Sequence, residues 1–337
     1  RSRLTELDAL RGLGALLVMN FHYSTRFHEM FPAAPHVPFH ILGGNYRVLL
    51  FFAISGFAIF FTLRHLSHAV DFMANRFARL FPAYWGAILI TLAVEHFGKV
   101  PQLDIPPLAI LFNFTMLENF FYVPSVDGAY WTLSIELCFY ASMLVLWRMG
   151  GLARIEWAIM GWMVLKWLML FWQGMPTPMV ELLVLQWIPY FSLGIVCYRV
   201  WSGARRWVQQ LPCLSAIFVT VAGTETADIL LVAVVILSCF ALMMEGRLRW
   251  LCVRPLLWVG SISYSLYLVH QNVGFVVMLN GSRMGLPPLV SYILAMAVAF
   301  VLGALLNRYV ERPAGRWIQQ RWDRWRAKEP VGRQVIA

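Results

Sequence analysis

Long apolar runs separated by short basic loops dominate this chain. A hydrocarbon core takes about 20 apolar residues per helix, fewer where a span is buried or irregular. Ten segments fit that description: 9–26, 46–64, 81–97, 129–147, 155–172, 180–199, 211–224, 228–244, 256–279 and 289–309. The stretch 106–121, PPLAILFNFTMLENFF, is too short and too interrupted to cross, and reads as re-entrant or interfacial. The pattern predicts an all-α polytopic membrane protein of about ten transmembrane helices. One membrane domain over 1–315 precedes a basic tail, 316–337.

Orientation comes from Lys and Arg. With both termini cytoplasmic, 21 of the 27 basic residues fall in inner segments, including Arg1 and Arg3 at the start and eight from Arg308 onward. Only Arg26, Arg47, Lys99 and Arg283 fall outside, while Arg11 and Lys166 lie within spans. That asymmetry matches the cytoplasmic bias of basic loops and supports an even number of spans. Composition agrees: 13% of the 337 residues are charged, against about 25% in a soluble domain. The mean hydropathy is +0.65. The net charge of +10 is spread between spans rather than gathered in a stripe, which argues against a nucleic-acid partner. The five cysteines show no paired metal spacing and imply no disulfide framework.

Against this apolar background the ionisable groups inside spans stand out, because they are costly in lipid and mark functional interiors. Arg11 and His22 share the first span with ten residues between them. Eleven steps of ~100° place both on one helix face, roughly 16 Å apart along the axis. With the orientation above, Arg11 sits near the inner edge, beside the level of Arg76 and Arg79. His22, Glu136 and His270 come out at similar depth in the outer half, at ~1.5 Å rise per residue. Two imidazoles and a carboxylate at one level can form one site, although a buried His also serves simply to bind a neighbouring helix. His28, His36 and His40 share one external loop but have no carboxylate or Cys nearby, so no metal site is expected there. Trp131 and its aromatic neighbours fit an interfacial belt equally well.

Five separated blocks resemble the acyltransferase family 3 membrane proteins. They are LDALRGLGALLVMNFH, with its Arg–ten residues–His spacing; FFAISGFAIFFTL; FARLFPAYW; WTLSIELCFY; and SISYSLYLVHQ followed by VERP at 310–313. The resemblance covers residues 4 to about 315. One departure is the sequence NYRVLLFF, where the family often has Gly-Val-Asp before the paired Phe, so acceptor contacts near Arg47 are expected to differ.

The resemblance implies transfer of an acyl group, most often acetyl, from cytoplasmic acyl-CoA to a hydroxyl of an extracytoplasmic or lipid-linked saccharide, in a bacterial cytoplasmic membrane and with no metal. Arg76, Arg79 and Arg11 suit the anionic donor. An imidazole titrates near neutrality, which makes His22 the expected general base. Glu136 is expected to orient it, as a carboxylate does in a His-centred triad. A transient acyl-His intermediate is the less favoured variant. His270 is expected to position the acceptor or relay a proton, with Trp131 and Ser134 contributing to substrate binding. The competing reading is a proton-coupled transporter or flippase of an anionic or glycan substrate, using the same groups as a relay. The lack of a visible internal repeat counts against it.

Overall fold

A computed structural model describes residues 4–41, 46–172 and 174–327. Arg1, Arg3, Lys328 and Arg333 of the basic tally lie outside the described residues, as does the side chain of Arg47. All regular structure in the described residues is helical. The main helices are α1 (Thr5–Phe21), α2 (Arg47–Arg64), α3 (Ala69–Gly98), α4 (Pro107–Asn113), α5 (Trp131–Arg148), α6 (Ile155–Phe171), α7 (Ile188–Trp201), α8 (Trp207–Thr224), α9 (Ala227–Met244), α10 (Arg254–Val269), α11 (Gln271–Arg283), α12 (Pro288–Leu306) and α13 (Arg312–Arg326). The helix content is the expected one, with instructive differences in continuity.

Among the described residues, three helices are long and apolar enough to cross a membrane: Ala69–Gly98, Ala227–Met244 and the continuous stretch Pro288–Arg326. The number rises to five if the bent pairs α5 with Gly151–Phe171 (104°) and α10 with α11 (70°) each make one span. The expected span 256–279 is therefore broken at His270. The expected span 180–199 is also interrupted. Thr177–Leu182 ends before Val184, which has a φ of +56°, and α7 restarts with Pro189 in its first turn. A β-branched residue in the left-handed region stops a helix, and proline suits the opening turn of the next. The stretch 106–121, expected to be re-entrant or interfacial, is short helix α4 plus a 3₁₀ turn at Glu118–Phe121. The segment read as a tail from 316 is helical through Arg326; Trp322 Nε1 donates to Asp71 Oδ1 at 2.8 Å, and Arg326 pairs with Asp71 at 3.0 Å.

The chain divides into two compact units, each discontinuous in sequence. The first takes residues 1–18, 43–65 and 131–261. In it α2 and α7 meet almost backbone to backbone: a Cβ at Gly56 or Gly194 would run into the main chain at Phe191 or Ala53. Small residues permit such approach, and it is the approach that drives helix association where lipid supplies no hydrophobic force. Beside this contact Phe191 stacks on both Phe52 and Phe139, with centroids 4.7 and 4.0 Å apart respectively. Gly12 and Gly260 form a second close approach, between α1 and α10. Lys166, buried to 1% exposure, pairs with Glu225 at 2.6 Å and donates to the Gln186 carbonyl at 2.9 Å.

The second unit takes residues 19–42, 66–130 and 262–337. Its core packs α11 on α12 and α3. Among its described residues lie two π-helical turns, His22–Arg26 and Asn307–Glu311. Such turns are rare and favour functional positions. At the second, Glu311 accepts from Ser265 at 2.5 Å and from Asn307 Nδ2 at 2.8 Å.

Candidate active site

The second unit brings His22 and His270 into direct contact. α1 gives way to its π turn at His22, and α10 stops one residue before His270, so both imidazoles sit where regular helix ends. Their rings meet edge to face with centroids 4.8 Å apart, and His270 Nε2 lies 3.0 Å from His22 Nδ1. His270 is 1% exposed, while His22 is only partly buried.

The hydrogen-bond partners fix the protons. His270 Nδ1 lies 2.6 Å from the Tyr267 carbonyl oxygen. A carbonyl only accepts, so Nδ1 must carry the proton, and in a neutral ring Nε2 then holds the lone pair. That lone pair can only accept from His22, whose Nδ1 must therefore be the donor. The proton of neutral His22 is thus on Nδ1, and its basic lone pair is on Nε2. In this arrangement one imidazole orients the other and fixes its tautomer.

The break at His270 is well satisfied. Tyr23 donates its hydroxyl to the His270 carbonyl at 2.6 Å and Tyr130 to the Leu268 carbonyl at 3.1 Å, while Tyr267 donates back to the Ala129 carbonyl at 2.9 Å. Asp127, fully buried, accepts the Ala129 N–H and the Asn272 N–H, each at 2.9 Å. Asn272 donates its side-chain amide to Glu95 at 2.7 Å and to the Val126 carbonyl at 2.8 Å. Burial pushes the Asp127 carboxyl up to about 7 against the lowering effect of its two N–H donors. In the same unit Arg76 lies over the Phe72 ring at 5.5 Å, and Arg79 is exposed on α3.

Glu136 belongs to the first unit, half-buried on α5. Its Oε1 accepts hydrogen bonds from the hydroxyls of Ser55, next to Gly56, and of Tyr140, one turn on. Ser134 is buried on the same helix, and the Trp131 ring packs on Trp187 with centroids 5.2 Å apart. Arg11, partly buried, faces Asp8 at 3.9 Å. His28, His36 and His40 cluster, with His28 lying 3.9 Å from His36 and 5.5 Å from His40 by ring centroid. Among the described residues no group of three or more His, Cys, Asp or Glu is placed to hold a metal ion.

Sequence reasoning missed Ser55, Tyr140, Tyr23, Asp127 and Asn272. Tyr140 had a signal, standing four residues after Glu136 on one helix. Asp127 had a weaker one, the Asp-Gly pair just ahead of the WTLSIE block.

An acyltransferase domain model matches residues 4–308, nearly the whole chain. The chain belongs to acyltransferase family 3. Among curated proteins, it is similar to the exopolysaccharide production protein ExoZ of Rhizobium meliloti (strain 1021), 25% identical over 84% of this chain and 93% of the relative. It also resembles the acyltransferase MdmB of Streptomyces mycarofaciens, 24% identical over 98% of this chain and 96% of the relative. A third relative is nodulation protein 10 of Rhizobium leguminosarum bv. viciae, 27% identical over 79% of this chain and 82% of the relative. No solved structure matches the chain. Membership of this family makes the protein an integral membrane acyltransferase using an acyl donor and an acceptor.

Proposed function

We propose that this family 3 acyltransferase moves an acyl group, acetyl by preference, from cytoplasmic acyl-CoA to a hydroxyl of an extracytoplasmic or lipid-linked saccharide, with His22 as general base. The reading places about ten crossings in a bacterial cytoplasmic membrane, with both termini on the inner side. The observation that carries it is the directed pair Tyr267 carbonyl–His270–His22, which leaves a basic Nε2 on His22. The acceptor oxygen attacks the thioester carbonyl carbon while His22 Nε2 takes its proton. The tetrahedral intermediate collapses, the C–S bond breaks, and the His22 imidazolium returns the proton to the leaving thiolate. Ester and CoA thiol are formed with no net proton change.

His270 takes the orienting role that the sequence suggested for Glu136. Glu136, with the Ser55 and Tyr140 hydroxyls, serves as a polar group for the acceptor, and Trp131 and Ser134 line the same helix. Arg76, Arg79 and Arg11 meet the anionic groups of the donor; cationic side chains of this kind form the stronger, charge-assisted hydrogen bonds to phosphate. The saccharide acceptor is supported by a relative whose name is exopolysaccharide production protein.

The test uses membranes containing the protein or its His22→Ala variant, supplied with acyl-labelled acetyl-CoA and an extract of native glycans and glycolipids. Label should enter the extract only with the unmodified protein. Donor left intact by both, with succinyl-CoA also unused, would overturn the enzyme reading in favour of transport.

A further inference from the structure

Helix α11 begins at Gln271 with no side-chain cap of its own, although it starts inside the protein. The first N–H groups of any helix lack intrahelical partners, and burying them unsatisfied is costly. The missing cap comes from Asp127, 145 residues away in sequence, whose Oδ2 accepts the Asn272 N–H while Oδ1 accepts the Ala129 N–H. Asn272 returns a hydrogen bond to the Val126 carbonyl, closing a reciprocal pair between the strap 126–130 and the helix start. The next residues of the strap complete the attachment: Tyr130 holds the Leu268 carbonyl, and the Ala129 carbonyl holds Tyr267. Gly128 admits the Gln271 side chain where any Cβ would collide with it. All four residues from Asp127 to Tyr130 thus bear on the six-residue stretch 267–272 around the dyad histidine.

We infer that Asp127 is a positioning residue of the histidine dyad: by capping α11 from outside, it holds the helix break whose Tyr267 carbonyl keeps the His270 proton on Nδ1. The inference rests on the proposed role of His22 only for its effect on rate; the effect on the His270 proton stands apart from it. Without the cap, the break at His270 keeps the Tyr23 and Tyr130 hydroxyls but loses the acceptor that starts α11, and the chain there relaxes toward continuous helix. The Tyr267 carbonyl would then return to ordinary helical bonding, and His270 would lose the acceptor that defines its tautomer. A misplaced His270 Nε2 no longer orients His22. Displacement of ~1 Å in such a supporting group costs on the order of 10²-fold in rate.

The test compares the full-length protein with Asp127→Asn, which keeps the size of the side chain but replaces one acceptor oxygen with a donor facing an N–H. The readout is the ¹⁵N imidazole spectrum of histidine-labelled protein in detergent, with the His270 signal assigned by its loss in His270→Gln. The unmodified protein should show His270 protonated at Nδ1, and Asp127→Asn should show a mixture of tautomers. In the acyl transfer assay kcat should fall ~10²-fold while the KM for acetyl-CoA stays within about twofold, because the donor residues are untouched. An unchanged His270 signal and an unchanged kcat in folded Asp127→Asn would overturn the inference. If Asp127→Asn does not fold, Tyr130→Phe decides, since it removes only the hydroxyl on the Leu268 carbonyl; a shifted His270 signal supports the strap, and an unmoved one overturns it. A shifted signal together with full activity in His22→Ala would keep the positioning role and remove the proposed function instead.

Discussion

The contact of α2 with α7 makes the sharpest stability prediction. A Cβ built on Gly194 stands 2.8 Å from the Ala53 carbonyl carbon and from the Phe57 amide nitrogen, and closer still to the Ala53 oxygen. Ordinary contact begins near 3.4 Å, so Gly194→Ala must part the two backbones by at least 0.6 Å, the difference of those distances. The obstacle is main chain, which cannot rotate aside as a flexible side chain would. Parting the helices also loosens the stack of Phe52, Phe139 and Phe191 beside the contact. Overpacking of this kind costs ~1–3 kcal/mol, and each kcal/mol lowers a melting temperature by roughly 2–4 °C in a chain of this order of size. Gly161→Ala is the control: nothing lies within 4 Å of its Cβ, and alanine is the better helix former by about 0.5–1 kcal/mol. Thermal melts in detergent should therefore show Gly194→Ala several degrees below the unmodified protein and Gly161→Ala at or above it. Equal melting of Gly194→Ala and the unmodified protein would refute the close-contact reasoning.

Glu118 is fully buried with Oε2 unpartnered, and burial raises its carboxyl from 4.5 to about 7. A raised acid favours the folded state most below pH ~4.5, and that advantage is lost as pH rises through about 7, a range worth at most ~3 kcal/mol. Glu118→Gln, permanently neutral, should flatten the fall in melting temperature between pH 5 and 8, leaving the part due to the other buried carboxyls, Asp127 among them; identical slopes would count against the buried carboxyl. Glu225→Gln leaves the Lys166 ammonium buried without its counter-charge and should cost ~3–5 kcal/mol, whereas Lys166→Met with Glu225→Gln should recover most of it. Additive losses in that cycle would show the pair to be uncoupled.

Much of the site was legible because polar groups are conspicuous in apolar helices. The shared depth of His22 and His270 followed from span boundaries and rise per residue, and the two rings do touch. The glycines of the SGF block and of α7 mark a close helix approach of the kind small residues allow. What stayed hidden was the break at His270. No proline or glycine precedes it, and YLVHQNVGFVV reads as uninterrupted helix. The break exists because Tyr23, Asp127 and Tyr130, all more than 130 residues away, satisfy the backbone groups it exposes. The partners of Glu136 were hidden for a related reason: depth groups residues into a layer but does not say which neighbours share a hydrogen bond, and those partners are the hydroxyls of Ser55 and Tyr140, which look unremarkable in sequence. The span 180–199 failed on a single left-handed Val184, a conformation no propensity assigns to valine.

The central claim is that His22 is the base and His270 its orienting partner, acting as one unit. The most direct measurement is kcat/KM for acyl transfer by His22→Ala, His270→Ala and the double variant, with folding checked by melting. General base catalysis contributes ~10²–10⁴-fold, so His22→Ala should lose activity on that scale. His270→Ala should approach the same loss, and the double variant should be little worse than His22→Ala alone, because residues acting as a unit are not additive. Full multiplication of the two losses, or turnover by His22→Ala near that of the unmodified protein, would contradict it.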